Sequence, residues 1–454
     1  EGLPVLERLG VRTVPELVFL NCCHLAADPD KLLKHGYDRA AFAAGVAKQL
    51  IRIGVRCVVA AGWAVEDDAA NQFAVAFYRA LLGGQRFMDA VQAGRVAAYE
   101  ASPGGNTWAA YQCYGDPDWV WQRAEVDTRR APPTPAQLYA GVASPMALAL
   151  ALETLAVQSA TQGAPAAAQR EKIRHLQARF ESEWGGMGAV AEAFGVAWTQ
   201  AGDTDRALHW FERAVAANDG SASVKSAEQR ANLLARRAWA RVEAAPTAQQ
   251  RARAIAAARQ DIAQARQALQ ALVAVAPTLE RESLLGSACK RLALVERAAG
   301  EAAFEARALV DMATHYGRAE AIALQQGHAE SFYPALNLLA ADWLRGEALD
   351  THRVQRTRES LQRKRLDDPD FWSVAGLPEL AVIEALHTGT LSAALPDIDA
   401  TLADLHARAG SAWLWASLRD QLGFILGGTR VPRGSEREAA GQLLARLQGY
   451  ATSR

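Results

Sequence analysis

Along the first third of the chain, short apolar runs alternate with longer stretches whose apolar residues recur every three or four positions. "ELVFLNC" (16–22) is an apolar run bounded by Pro15 and polar residues, which predicts a buried strand. "AAFAAGVAKQLIRIG" has helical spacing and ends at Gly54, a plausible helix stop. "VRCVVAAGW" is a second β-branched run, followed by two helical patterns, "DDAANQFAVAFYRALLGG" and "RFMDAVQAGRVAAYE". "WAAYQCYGD" predicts a last strand. Strand and helix in this order, with strands apolar on both faces, predict an α/β fold on a parallel sheet.

"RRAPPTPAQ" (129–137) interrupts this pattern and predicts a linker. Beyond it Ala, Leu, Arg and Glu stand at helical spacing with almost no strand-like runs. "AEAFGVAWTQAGDTDRALHWFERAVAAND" (191–219) resembles a tetratricopeptide repeat. Phe194 and Gly195 take its Leu-Gly positions, Trp198 the following aromatic, and Ala207, Phe211 and Ala214 the positions of its second helix. Ala191 stands where the pattern has Trp, and no Pro closes the unit. "LLGSACKRLALVERAAGEAAFEARALV" is a looser unit, with Leu285 and Gly286 in the Leu-Gly positions. One repeat buries its apolar face only against a neighbour. An irregular all-α tetratricopeptide-like solenoid is therefore expected over 138–450, after an α/β part over 1–127 and a linker over 128–137. "SFYPALNLLAADWLRG" (331–346) fits the same helical architecture, with Pro334 kinking or starting its helix.

At 454 residues, half of them apolar, the chain has material for two or three cored domains. Its net charge of −1 gives no general attraction to nucleic acid or anionic lipid. The basic stretch "HRVQRTRESLQRKRL" (352–366) has no interleaved aromatics and predicts a solvated helix face. The most apolar stretch, "SPMALALALETLAVQSA", is interrupted by Glu153 and is too short to span a bilayer. Five cysteines, an odd count without framework spacing, favour a reducing compartment, and the cytoplasm is expected. No signal-peptide pattern opens the chain, and a start at Glu1 leads us to expect a piece of a longer polypeptide. No phosphate-binding loop, dinucleotide fingerprint or zinc-protease motif occurs, and no cofactor is expected.

Chemistry concentrates at Asn21-Cys22-Cys23-His24. Zinc sites want cysteine or histidine pairs at converging spacings, whereas adjacent strand residues point to opposite faces, so no metal is expected. Cys23 ends a buried strand, the edge at which open parallel sheets place their sites, where loop or helix donors favour a thiolate. Spacing alone leaves two readings open: a nucleophile at Cys23 with Cys22 as packing, or two buried sulfurs.

"PELVFLNCCHLA", "AAGWAVEDDAANQFAVAFYRALLGG" and "WAAYQCYGDPDW" together resemble the second half of a CHAT domain, a caspase-like cysteine protease domain associated with tetratricopeptide repeats. The resemblance covers about a quarter of the chain, and Ala26 departs from the Gly of many members. It implies Cys23 as nucleophile of a regulated endopeptidase, often in defence or programmed death, acting on a protein substrate. It also implies a histidine base well upstream of the cysteine. Only 22 residues precede Cys23 and none is His, so that base is expected on preceding sequence, and this chain alone is expected to be inactive. His24 would project away from its neighbour's thiol, and His35 comes after the cysteine, in the wrong strand order.

Glu66, Asp67 and Asp68 precede a predicted helix, where carboxylates cap and favour its positive end. One of them also stands as a candidate for selecting a basic substrate residue, and Trp63 as a wall of the substrate cleft or a core residue. The helical half is expected to sense a protein partner or recruit substrate. A catalytically dead caspase-like scaffold is the alternative, and nucleic-acid binding is disfavoured by the near-neutral charge.

Overall fold

The computed structural model describes residues 15–20, 47–48, 50–51, 55–62, 65–121, 134–161, 166–328, 330–367, 370–408, 412–428 and 430–452. The two apolar runs at its start become adjacent parallel strands, β1 (Leu17–Leu20) and β2 (Cys57–Ala61), with Leu17 opposite Cys57 and Leu20 opposite Ala60. β3 (Tyr111–Gly115) flanks β2 on its other side but runs antiparallel, pairing Cys57 with Gly115 and Ala61 with Tyr111. The α/β character is as the pattern predicts; the sheet itself is mixed rather than wholly parallel. The connection explains why. Two helices, α1 (Asp67–Leu82) and α2 (Phe87–Ala101), lie between β2 and β3 and pack on each other. One helix returns the chain for a parallel strand, whereas a helical hairpin leaves it at the end where β2 finished. The first half of "WAAYQCYGD" is accordingly a short turn of helix, α3 (Thr107–Ala110), that reverses the chain into β3.

Alternation along the strands divides the core. Cys57 and Val59 join Phe73, Phe77 and Tyr111 on one face, with Leu17 and Phe19 packed against them. Val58 joins Ala47, Leu50 and Val55 on the other, with Val18, Leu20 and Tyr114. Both faces of β2 are covered, which is why its sequence is a continuous apolar run. In α1 the buried residues Ala69, Phe73, Phe77 and Leu81 repeat every four positions, one stripe of a helix. Phe19 meets that stripe at ring-centroid distances of 6.2 Å from Phe73 and 5.7 Å from Phe77.

The chain divides into two compact units, residues 1–180 and 181–454. The first also holds α4 (Pro135–Leu138) and α5 (Pro145–Thr161), and α6 (Ala166–Trp184) crosses its end. The second is all helical: α7 (Gly188–Gln200), α8 (Thr204–Ala216), α9 (Val224–Glu243), α10 (Ala248–Val275), α11 (Leu279–Ala299), α12 (Ala302–Gln325), α13 (Phe332–Arg345), α14 (Thr351–Asp367), α15 (Phe371–Thr388), α16 (Leu391–Arg408), α17 (Ala412–Leu426) and α18 (Ser435–Thr452). No helix among the described residues is long and apolar enough to cross a membrane.

The two repeat signatures occupy equivalent helix pairs. A Cβ on Gly195 of α7 would sit 2.8 Å from the ring of Phe211 on α8, and Phe194 stacks on Trp210 at 4.3 Å. A Cβ on Gly286 of α11 would sit 2.7 Å from the ring of Tyr316 on α12. In each pair a glycine lets an aromatic ring of the second helix lie against the backbone of the first. Each pair turns through a left-handed glycine, Gly202 at φ 73° and Gly300 at φ 77°. Gly195 and Phe211 lie seven residues before and nine after their turn, Gly286 and Tyr316 fourteen before and sixteen after theirs. Each arm of the second pair is thus seven residues, about two helical turns, longer, and the same faces still meet.

Pro334 stands in the first turn of α13 and starts that helix. The basic helix α14 is laced to its neighbours by ion pairs, Arg353 to Glu320 at 2.8 Å and Arg358 to Glu384 at 2.6 Å.

Candidate active site

Because β1 and β2 are parallel, their C-terminal ends share one edge of the sheet, and the antiparallel β3 begins there. Four segments meet at this edge: the ends of β1 and β2, the start of α1, and α3 with the loop before it. Gly62, just past β2, donates its N–H to the Ala110 carbonyl at 2.9 Å. Glu66 donates its backbone N–H to Thr107 Oγ1 at 3.0 Å, and Thr107 is buried. The start of α1 is therefore tied to α3 rather than to strand ends alone.

The three carboxylates of Glu66, Asp67 and Asp68 gather at this edge and are exposed. Glu66 holds the N-cap position of α1, but its side chain makes no capping hydrogen bond. Its carboxylate instead lies against the 102–106 loop, where a Cβ on Gly105 would come within 3.0 Å of Oε1 and 2.7 Å of Ser102 Oγ. A side chain at 105 would have to displace the Glu66 carboxylate or the Ser102 hydroxyl. Asp67 and Asp68 fill the first turn of α1, where negative charge favours the helix dipole. The expected side-chain capping is thus not made by Glu66, whose carboxylate turns to the loop, while Asp67 and Asp68 stand at the positive end of the helix.

Leu20, the last described residue of β1, stands three positions before Cys23. Cys22, Cys23, His24, His35 and Trp63 lie outside the described residues. The other three cysteines are described, and burial favours the protonated thiol in each. Burial pushes the Cys57 thiol far above its ordinary value, with the Asp116 charge adding to the effect. Burial also pushes Cys113 up to about 11 and Cys289 up to about 12. A thiol so raised carries almost no thiolate near neutral pH, and the thiolate is the nucleophile. All three are free. No histidine stands on β1 to β3, on α1 to α3, or in the described segments between them.

Residues 3–116 match the family model of the CHAT domain. Residues 203–342 match a second family model, Tetratricopeptide Repeats-Sensor. Together they identify a CHAT domain followed by a repeat sensor region, the order in which the two folds occur along the chain. The CHAT match spans β1 to β3 with α1 to α3 and ends one residue past β3. It therefore encloses the whole sheet edge just described, and its residue range also contains the "NCCH" sequence. The sensor match runs from the start of α8 into α13, taking in the Gly286–Tyr316 pair. No curated protein matches the chain significantly. The CHAT domain implies a caspase-like fold.

Thr107, Gly105 and Gly62 were not legible as site residues in the sequence. "SPGGNTW" signals a turn, but nothing in a linear pattern says that the turn meets a helix start 41 residues earlier. Among the described residues no group of three or more His, Cys, Asp and Glu side chains could hold a metal ion.

Proposed function

We propose that this chain is the nucleophile-bearing part of a regulated caspase-like cysteine endopeptidase, with Cys23 as nucleophile and the helical repeats as sensor or substrate-recruiting region. The observation that carries the reading is positional. Within the CHAT match, β1 ends at Leu20, three positions before Cys23 in sequence, on the edge where β2, α1 and α3 converge. The domain limits of this reading are 1–127 for the caspase-like part, 128–137 for the linker and 138–450 for the repeats.

In this mechanism a histidine accepts the Cys23 proton and the thiolate attacks the scissile carbonyl. Backbone amides, that of Cys23 among them, stabilise the oxyanion, and water releases the acyl-enzyme. The resemblance puts the base on a histidine well upstream of the cysteine, and neither His24, the sequence neighbour of Cys23, nor His35, which follows it, fits that order. Trp63 would wall the substrate cleft. Glu66, Asp67 and Asp68 supply the negative charge that would select a basic substrate residue.

The test is labelling of the full-length protein by a thiol-directed peptide probe, with and without Cys23→Ala. Labelling mapped to Cys23 and lost in the variant supports the assignment. Labelling that survives the substitution, or falls on Cys22, sinks it. The 454-residue chain alone is expected to show no Cys23-dependent turnover. A second reading is an inactive interaction scaffold, for which the matched repeat region speaks. Lack of any Cys23 labelling in the full-length protein, with the sensor region still folded, would decide for it.

A further inference from the structure

Lys290 and Arg291 are consecutive residues of α11, and both line a cavity of about 610 Å³ in the helical unit. Arg236 of α9 and Arg419 of α17 line the same cavity. Its volume falls in the range of small-molecule sites. The acidic lining is smaller: Asp420, paired with Arg419 at 3.4 Å, and Glu243. Arg237 also reaches the cavity but is held by Asp205 at 2.9 Å and Asp261 at 3.4 Å.

Lys290, Arg291 and Arg236, by contrast, make no ion pair among the described residues. Lys290 Nζ donates to Gln421 Oε1, a neutral partner. The Gln421 amide in turn donates to Glu379 Oε1 at 2.7 Å and Asn337 Oδ1 at 3.2 Å. Arg291 donates to the Ser287 carbonyl at 2.9 Å, again neutral. Burial, then the neighbouring positive charges, depress Lys290 to about 7 and Arg291 to about 10. These three cations crowd one cavity without a direct ion pair, and Glu379 and Asp420 reach Lys290 only as neighbouring charges, so a bound anion would supply the contact counter-charge that they lack. Trp239 and Leu294 add an apolar wall to the same cavity.

We propose that this cavity is the ligand site of the sensor region and takes a phosphorylated small molecule, its phosphates at Lys290, Arg291 and Arg236 and its remaining part against Trp239 and Leu294. Three unpaired cations favour a polyvalent group over a single carboxylate. A walled cavity favours a small molecule over a polymer, in line with a chain whose net charge is −1. Lys290, Arg291, Arg236 and Trp239 all lie within the matched sensor region, whereas Arg419 does not. The proposal is independent of the role of Cys23.

The experiment is isothermal titration calorimetry of the full chain at physiological salt, with inorganic tripolyphosphate and with ATP as probes. Tripolyphosphate is expected to bind, and Arg236→Ala to weaken it at least ten-fold. Arg236 is exposed and carries no ion pair, so that variant is expected to keep its melting temperature. Lys290→Gln is expected to weaken binding further, and Asp420→Asn to strengthen it. ATP is expected to bind more tightly than tripolyphosphate, the difference being lost in Trp239→Leu. Near pH 8 binding should take up protons as the anion raises Lys290. The other charges acting on that amine, from Arg291, Arg236, Glu379 and Asp420, would modulate the uptake. No binding of either probe at millimolar concentration overturns the proposal. So does equal binding by wild type and folded Arg236→Ala. Cys23→Ala is expected to bind like wild type, which separates this test from that of the nucleophile.

Discussion

The backbone N–H of Glu66 and the buried hydroxyl oxygen of Thr107 lie 3.0 Å apart, joining the first residue before α1 to the helix turn that precedes β3. This single bond couples the two segments that frame the sheet edge beside β1. Thr107→Val keeps the shape and removes the acceptor. It is expected to cost about 1 kcal/mol of stability, the net worth of a hydrogen bond with partial access to water. Urea denaturation of the two proteins measures it. An unchanged midpoint would mean that water replaces the bond without loss.

The raised thiols make a second expectation. Iodoacetamide at pH 8 should leave Cys57, Cys113 and Cys289 unmodified in the folded protein and alkylate all three in denaturant. The reason is the small thiolate fraction left by burial. Mass spectrometry of the digested protein reads this directly. Native labelling of Cys289 would show that its helices open far more readily than their packing allows.

The same shifts have a sign in stability. A thiol whose folded value lies above its unfolded value favours folding while both states are protonated. That contribution is lost as pH rises from about 9, the unfolded value, through about 11 for Cys113. Urea midpoints measured from pH 8 to pH 11 should therefore fall. Cys113→Ala is expected to fall less steeply, and identical slopes would rule out the contribution.

Gly195→Ala and Gly286→Ala each place a methyl within 3 Å of an aromatic ring. Overpacking of this kind is expected to cost about 1–3 kcal/mol per site. Since the clash is with a named ring, Gly195→Ala combined with Phe211→Leu should cost less than the sum of the two changes. Thermal or urea unfolding of the four proteins closes the cycle, and strict additivity would show that the ring is not the obstacle.

Arg281 joins an ion pair and a helix end in one side chain. It binds Glu228 at 2.7 Å and the Ala276 carbonyl at 2.7 Å, with little of either side chain exposed. It thereby terminates α10 while pairing α11 with α9. Arg281→Ala leaves a buried carboxylate and a carbonyl without their donor, and is expected to cost about 3–5 kcal/mol. Glu228→Gln, which keeps a hydrogen-bond acceptor, should cost less. Equal losses would place the energy in charge rather than in hydrogen bonding.

Local periodicity carried most of the elements. "ELVFLNC" and "VRCVVAAGW" became β1 and β2, and the stripe Ala69, Phe73, Phe77, Leu81 became the buried face of α1. Strand direction was not legible in the same way. β3 is antiparallel because a helical hairpin, not one helix, connects it to β2, and periodicity does not say how two helices fold on each other. The repeat signature was legible at Gly195 because glycine in an apolar helix demands a close neighbour. Its partner Phe211 was legible too, as the aromatic of the second helix. The partner of Gly286 was not, because Tyr316 stands seven residues later relative to its turn than Phe211 does. The cationic cavity was invisible for a related reason. Arg236, Lys290 and Arg419 come from three helices, and no linear spacing links them.

The equivalence of the Gly195–Phe211 and Gly286–Tyr316 pairs restricts how such a repeat can change size. A helix rotates about 100° per residue, so adding one or two residues to an arm would swing the glycine away from its ring. Adding seven brings it back to within about 20°. Three or four residues leave it about 60° or 40° off, so seven on both arms at once is the smallest step that returns it to within about 20°. Paired seven-residue insertions are therefore the natural way to lengthen the short α7–α8 unit. Single-residue insertions in the same arms would have to be absorbed in the turn at Gly202.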